Sequence, residues 1–401
     1  MARLVSRRAL WRALSTGEAS GKHEPFGAVG SGYYSDNTRG CYDVVRRARP
    51  LALRALADVL SARAARGAPG RRETFTLVDY GTADAGTSMP LLKELVVTLR
   101  SAEPDTPIAV VYEDQSTNDW NSVFARVHNR LLGAEPSYLA DGAGAGKVFV
   151  FASGESFYAQ CSPDATVDLG FSATAMHWLT AAPARMPDAL FAALTADAAA
   201  AEAYRAQARA DWRTIMLQRA RELKPGGALV VANFTVDDGG RFLGNSQHAA
   251  RSMFDMFTEL WASMATEGLI TRAEFEATNF PIFYRSLAEC REPFDDPESP
   301  ISTAGLRWVS GSTDLVRCPY HVRWLAEGGD PLAHARRFVP TTRTWSNSTF
   351  ASGLDARTRS AAERAALVEM LFERYAQRVA AAPAEHAMDY VHAYLHLAKG
   401  P

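Results

Sequence analysis

Between residues 75 and 233 the chain alternates short apolar runs with stretches of helical periodicity, and few folds accept that alternation. Residues 75–80, 108–112 and 148–152 have the length of buried strands, with a shorter run at 166–169 and a further one at 228–233. Residues 89–99, 120–132 and 188–223 repeat apolar positions at helical spacing, the last as one or two helices. Strands separated by helices of ten or more residues need crossover connections, which build a parallel sheet covered by helices on both faces. The expected fold class is α/β. Pro225-Gly226-Gly227 stops the long helix just before the 228–233 strand.

Residues 44–65 read as a helix with Arg on its outer face, broken by glycines at 67–70. The pattern changes after Asp237. Helical stretches at 249–266 and 271–277 precede a Pro-rich region of short strands, so residues 241–345 read as a mostly helical cap over the ligand edge of the sheet. Residues 342–350 read as a loop or short strand and 356–381 as one amphipathic helix. The chain then divides into a basic tail (1–29), a ligand-binding core with an N-terminal gating segment (30–240), the cap with the second pocket (241–345), and a strand and helix completing the core (346–401).

Hydrophobic residues make up 47% and charged residues 22%, the balance of a folded chain. With 43 basic and 45 acidic residues the net charge is −2, which argues against a protein built to grip a nucleic-acid backbone. The longest apolar runs have strand length, short of the roughly 18 to 20 residues that span a bilayer, so neither nucleic acid nor membrane is an expected partner. Cys41, Cys161, Cys290 and Cys318 lie far apart, without C-x-x-C or zinc spacing. They read as separate thiols in a reducing compartment, with no metal site and a cytoplasmic location. Arg3, Arg7, Arg8 and Arg12 precede the first acid, Glu18, in the manner of a transit peptide. A continuous apolar core is missing, and a plain basic helix or tail is the reading adopted.

The segment from Asp79-Tyr80-Gly81 to Asp84-Ala85-Gly86 lies between an expected strand and helix, where glycine lets backbone approach a ligand. It is neither G-x-G-x-x-G nor a phosphate loop. Asp79 and Asp84 repel a pyrophosphate and favour a cation, such as a sulfonium bearing an amino group; an ordinary strand–turn–helix explains the same residues. The second strand runs into Glu113-Asp114-Gln115, where a carboxylate accepts from the two hydroxyls of a ribose. Ser156-Phe157-Tyr158 after the third strand offers a hydroxyl and an aromatic cover for a flat base. After the fourth, His177 and Trp178 are neutral N–H groups suited to an anionic acceptor.

Taken in order, Tyr33-Tyr34-Ser35-Asp36-Asn37-Thr38, Asp79-Tyr80-Gly81, Asn118-Asp119-Trp120-Asn121, Ser156-Phe157-Tyr158, His177-Trp178-Leu179 and Lys224-Pro225-Gly226-Gly227 resemble the SABATH methyltransferases. Asn279 to Ser286 resembles the cap segment of that family. The resemblance runs from about residue 30 to the C-terminus. It implies a seven-stranded Rossmann-like methyltransferase sheet with a mostly helical cap, S-adenosylmethionine as cofactor, a small-molecule carboxylic acid as substrate, and a homodimer, as relatives often form. Asp79 and Gly81 then fall at the methionine end of the cofactor, Thr38 matches a Ser that contacts it, Tyr34 and Asp84 join the cofactor-binding set, Asp114 falls at the ribose, and Gln115, Ser156 and Phe157 at the adenine. Trp178 matches the indole that binds the acceptor carboxylate, with His177, Tyr158, Thr174 and Cys41 completing the acceptor set. Two positions depart from the family: its Gln falls at Cys41, and its pocket Tyr at Thr174.

The implied chemistry is in-line displacement by a carboxylate oxygen. An acid with a pKa of about 4 to 5 is already ionised at neutral pH, so no general base is required. Holding oxygen, carbon and sulfur collinear supplies about 7 to 11 kcal/mol in favourable cases. Trp178 and His177 are the expected catalytic pair. Methyl transfer to nitrogen or a phenolic oxygen, with His177 as base, is the alternative, and a non-catalytic cofactor-binding protein is a third. Phe254, Phe257, Trp261 and Trp345 suit either the pocket wall or ordinary core.

Overall fold

The computed structural model describes residues 26–66, 73–140, 147–249 and 251–400. The Arg-rich part of the tail and the glycine break at 67–70 lie outside them. Seven strands, β1 (Phe75–Tyr80), β2 (Ile108–Glu113), β3 (Val148–Ser153), β4 (Val167–Ala173), β5 (Leu223–Phe234), β6 (Leu306–Val316) and β7 (Tyr390–Lys399), form one sheet. Its order is β3-β2-β1-β4-β5-β7-β6. The first five strands are parallel, and β7 runs antiparallel between β5 and β6. The chain builds outward from β1 to β3 and then returns to β4. The order therefore reverses between β1 and β4, and the crevice for a ligand opens at their carboxyl ends.

Alternate residues of β1 explain why both faces are covered. Phe75 and Leu77 join the core beneath helices α2 (Arg39–Arg66) and α3 (Met89–Ala102), while Val78 and Tyr80 join the core beneath α5 (Ala198–Glu222). Two short helices, α1 (Tyr33–Asn37) and α4 (Trp120–Val127), flank the crevice. α2 buries Val44, Ala48, Leu51, Ala55 and Val59 along one stripe. α5 begins at its cap Asp197, whose side chain accepts from Ala199 N and Ala200 N, and not at 188. The intervening turns are fastened by Asp188, which accepts from Thr195 Oγ1 at 2.5 Å and Ala196 N at 2.6 Å. α4 stops at Val127, short of the expected 132, where Asn129 enters the left-handed region at φ 56°.

The cap carries α6 (Met253–Thr266), α7 (Arg272–Ala277), α8 (Leu287–Asp295), α9 (Pro300–Thr303), α10 (Pro319–Glu327) and α11 (Pro331–Gly353), and α12 (Ala361–Ala381) follows. Ser252, Thr271, Ser286 and Ser360 each open a helix with an acid three residues on, and each pair bonds reciprocally across the first turn. Two expectations fail here. Residues 342–350 are neither loop nor strand but lie inside α11. Thr342, Thr344 and Ser346 donate their hydroxyls back to the carbonyls of Val339, Thr341 and Thr342, which lets hydroxyl-bearing, β-branched residues be buried in a helix. The short strands expected in 241–345 are instead one long strand, β6, which closes the sheet edge; that span is not cap alone. Among the described residues no helix is long and apolar enough to cross a membrane.

One buried ion pair fastens the N-terminal segment to the crevice. Asp84 accepts from Ser35 N at 3.1 Å, from Ser35 Oγ, from Gly86 N at 3.2 Å and from Arg126 Nη2 at 3.0 Å. Arg126, 2% exposed, also reaches the carbonyls of Asp84 and Gly32. Removing one partner of such a pair strands the other's charge. Asp84→Ala is expected to lower unfolding stability by about 3 to 5 kcal/mol in urea titrations.

Candidate active site

Strand ends, the N-terminal helices and the cap meet in one cavity of about 610 Å³. Tyr34, Thr38, Cys41, Gly81, Asp114, Gln115, Ser156, Phe157, Tyr158, Thr174, His177 and Trp178 all line it. Two expected residues do not. Asp79 sits beneath the turn, 2% exposed, its Oδ2 held by Thr82 Oγ1 at 2.8 Å and Ser88 Oγ at 2.6 Å. These hydroxyls arrive because α3 starts directly behind the turn. Asp84 is committed to Ser35 and Arg126, and walls only a smaller adjoining cavity of about 360 Å³. Direct cofactor contact by either carboxylate is therefore not supported by their placement.

Gly81 is the bare spot in the floor. Its φ is 72°, and a Cβ there would stand 2.2 Å from the Ala175 Cβ. Next to it, Asp114 closes β2. Its Oδ2 accepts from Ala83 N at 2.8 Å and its Oδ1 from Gln115 N at 2.7 Å, which leaves each oxygen a lone pair for a ligand hydroxyl. Burial pushes its carboxyl up to about 6 against the opposing pull of those amides, and Asp79 is likewise pushed up to about 6. Glu113, beside Asp114 on the wall, takes Gly81 N at 3.0 Å; its buried Oε1 has no hydrogen-bond partner among the described residues. Burial pushes this carboxyl well upward too.

The loop carrying Ser156, Phe157 and Tyr158 is held from behind by α5. Arg219 donates to the carbonyls of Phe157 (3.0 Å) and Ala159 (2.8 Å), pairs with Glu222 at 2.7 Å, and lies 4.4 Å over the Tyr80 ring. Glu222 in turn accepts from Tyr80 OH at 2.6 Å. The His177–Leu179 side is fixed by the cap. Phe283 N donates to His177 O at 3.0 Å, Leu179 N to Pro281 O at 2.7 Å, and Trp178 bridges Ile282. Arg285 ties the same segment down through Met176 O at 2.9 Å and two bonds to Ala208 O. Tyr158 OH donates to Trp178 O and so joins the two loops.

At the acceptor end Cys41 has the hydroxyls of Tyr34, Thr38 and Thr174 around it, and burial pushes its thiol up to about 12, so it stays protonated. Phe234, Leu243, Tyr284, Trp345, Met388 and Tyr390 supply an apolar wall. Of the four aromatics weighed from the sequence only Trp345 lines the cavity; Phe254, Phe257 and Trp261 are core. Glu113, Tyr284 and Arg285 stand inside motifs that the sequence offers without a role of their own, while Arg219 and Tyr390 carry no motif; the aromatic alternation at the start of β7 is the signal for Tyr390. Among the described residues no Lys or Arg lines the cavity, whereas Glu113, Asp114, Glu155 and Asp211 do. A cationic ligand suits such walls, and an anion must be held there by neutral donors.

A doubly wound sheet with an acid after β2, an aromatic loop after β3 and a cavity at the β1/β4 reversal has the layout of a site for a nucleoside-bearing cofactor. The model of the SAM-dependent carboxyl methyltransferase family matches residues 27–400, and the chain belongs to that family. Indole-3-acetate O-methyltransferase 1 of Oryza sativa subsp. japonica is 27% identical over 313 residues, 72% of this chain and 74% of that one. Jasmonate O-methyltransferase of Arabidopsis thaliana is 25% identical over 298 residues, covering 67% and 74%. The solved structure of loganic acid methyltransferase with SAH superposes with a TM-score of 0.70 at 17% identity, over 95% of this chain and 99% of that one, a likeness of fold. As a member of that family the chain takes S-adenosylmethionine as cofactor. The bare backbone at Gly81, the two-oxygen acceptor at Asp114 and the acid-lined, cation-free wall fit it.

A carboxyl pushed up to about 6 titrates where binding can be measured. If this carboxyl accepts from the two hydroxyls of a ribose, the ionised form is required, so affinity is full above this pKa and lost as pH falls through it. Calorimetry with S-adenosylhomocysteine is expected to show Kd rising about tenfold per pH unit below that point. Asp114→Asn should weaken binding at neutral pH and flatten the step.

Proposed function

We propose that the chain esterifies a small monocarboxylic acid with an apolar or aromatic body, and that Asp114 receives the ribose, Gln115, Ser156 and Phe157 the adenine, and Tyr34, Thr38 and Gly81 the methionine end of the cofactor. One observation carries the acceptor class: the cavity offers neutral donors, an apolar wall and acids, and no cation among the described residues. A lone carboxylate is acceptable there because the bound cofactor is itself the counter-cation. A second carboxylate on the same substrate meets Glu113, Asp114, Glu155 or Asp211 without compensation.

The bound cofactor supplies an electrophilic methyl group. The residues of the chain bind, orient and exclude water. Trp178 presents its indole N–H to the acceptor carboxylate, Thr174 and Cys41 add a hydroxyl and a thiol, and the wall of Phe234, Tyr284 and Trp345 excludes water. Neutral donors suit this reaction because the acceptor loses charge in the transition state, and a guanidinium clamp would favour the ground state. His177 packs edge-on against Phe234 with centroids 4.9 Å apart and at 5.6 Å from Tyr284, a placement that supports a role in shaping the wall over one as a base. A cytoplasmic homodimer completes the reading, resting on the family resemblance and on four free thiols. The division into a core (30–240), a cap (241–345, less β6) and a C-terminal completion (346–401) belongs to it as well.

Incubation with S-adenosylmethionine and benzoate, salicylate, indole-3-acetate or jasmonate, read by mass spectrometry, is expected to give a methyl ester from at least one of them. Phthalate and succinate should be worse by about tenfold or more, the cost of burying an uncompensated charge. Esters of diacids at equal rates, or none from any acid by protein that binds S-adenosylhomocysteine, would overturn the reading. Trp178→Phe should lower kcat/KM about 10- to 100-fold, the loss of one hydrogen bond to a charged group, with S-adenosylhomocysteine affinity unchanged. The rate should stay flat down to about pH 5 if the acid needs no base, apart from any fall in cofactor binding, which saturating cofactor removes.

A further inference from the structure

Thr174 lies on the cavity wall, and behind it stands a residue that no motif marks. His392, on β7, is fully buried, and its Nε2 is 3.2 Å from Thr174 Oγ1. Its ring packs 4.2 Å from that of Phe234, its register partner on β5. Resting on the acceptor reading above, we infer that His392 carries its proton on Nε2, donates it to Thr174 Oγ1, and thereby turns the Thr174 hydroxyl proton toward one oxygen of the acceptor carboxylate. His392 is then a positioning residue, and Thr174 the second donor on the carboxylate opposite Trp178.

Three observations carry this assignment. First, Nδ1 of His392 is buried without a hydrogen-bond partner among the described residues. A proton on Nδ1 would leave a donor orphaned, and Nε2 would then take the Thr174 hydroxyl proton for itself. With the proton on Nε2 both faults vanish, and only a lone pair goes unused. Second, Thr174 holds φ at 59°, a left-handed conformation that a β-branched residue seldom adopts. Its N–H is fixed to Ala232 O at 2.8 Å, so the backbone places the hydroxyl at one spot between His392 and the cavity. Third, the relay is uncharged. Burial pushes His392 down to about 3, so the imidazole is neutral throughout the working range. The neighbouring Cys41 keeps its proton and is a poor competitor for the hydroxyl. The relay orients an anion without adding a cation to a cavity that has no Lys or Arg among the described residues.

The tautomer can be read without turnover, from long-range ¹⁵N–¹H correlations of ¹⁵N-histidine-labelled protein, with His392→Gln assigning the resonance. Protonated Nε2 and bare Nδ1 are expected; protonated Nδ1 would overturn the relay. Kinetics uses whichever panel acid the wild type esterifies. His392→Phe and Thr174→Val should each raise KM about tenfold while S-adenosylhomocysteine affinity holds. The double variant should lose no more than either single one, because both break the same relay. His392→Gln, which keeps an N–H, and Thr174→Ser, which keeps the hydroxyl, should restore KM to within about threefold. Unchanged KM in the Phe and Val variants, or additive losses, would also overturn it. Should the Phe variant not fold, Thr174→Val and its Ser rescue decide. A wild type that makes no ester from any panel acid sinks the functional reading, whereas the tautomer still tests the relay.

Discussion

Everything at this site depends on a charge balance that the protein leaves for its ligands to complete. The sheet edge presents Glu113, Asp114 and Glu155, and α5 adds Asp211, with no Lys or Arg among the described lining residues. A sulfonium donor answers that field, and an acceptor carboxylate then answers the sulfonium. Two opposite charges that disappear together into neutral products lose their hydration as they react in water, and a site that replaces that water with protein before the reaction removes this cost. The protein need only hold the pair in line. A guanidinium beside the acceptor would compete with the donor for the anion and resist its neutralisation.

The cations are nevertheless close by, placed behind the walls instead of within them. Arg219, Arg285 and Arg126 are all nearly inaccessible. Arg219 holds the Phe157 loop by its carbonyls, Arg285 holds Met176 beside His177, and Arg126 holds Gly32 and Asp84. A guanidinium has five donors in a fixed fork, so one side chain can bind several carbonyls of a loop that has no sheet partner. Glu222 and Asp84 balance two of these charges. The loops are thus rigid where they meet ligands, which differential binding of a transition state requires.

How much of this was readable beforehand divides along physical lines. The strands from β1 to β5 and the helices between them were legible, because burial on both faces leaves near-continuous apolar runs that local pattern reveals. The motif order identified the fold and the cofactor, and most of the candidate residues share the one cavity. At Asp79 and Asp84 the sequence is ambiguous, because an acid in a strand–turn–helix looks the same whether it faces a ligand or fastens the turn; the bonds to Ser88, Ser35 and Arg126, up to 49 residues distant, go with a placement outside the larger cavity. β6 was illegible as one strand because an edge strand alternates poorly, and its pairing with β7 is contributed by residues over seventy positions away. The hydroxyl-rich stretch of α11 has weak helical propensity, and tertiary burial overrides it.

The acceptor end shows why substitution at two family positions need not end the chemistry. Where the resemblance leads one to expect Gln, Cys41 gives a weak donor that stays protonated, and where it leads one to expect Tyr, Thr174 gives a hydroxyl too short to reach far on its own. Thr174 compensates through its backbone, whose φ of 59° goes with a hydroxyl that meets His392, on β7, across the end of β5. A smaller side chain also leaves room, and the wall around it is aromatic: Phe234, Tyr284, Trp345 and Tyr390. Loss of the long polar side chain and gain of space go together. Such a pocket exchanges contacts made directly to the carboxylate for contacts along the body of the acid, where each buried methylene contributes about 0.8 kcal/mol. Discrimination should then rest on the shape of the apolar body, because neutral donors alone distinguish one carboxylate poorly from another.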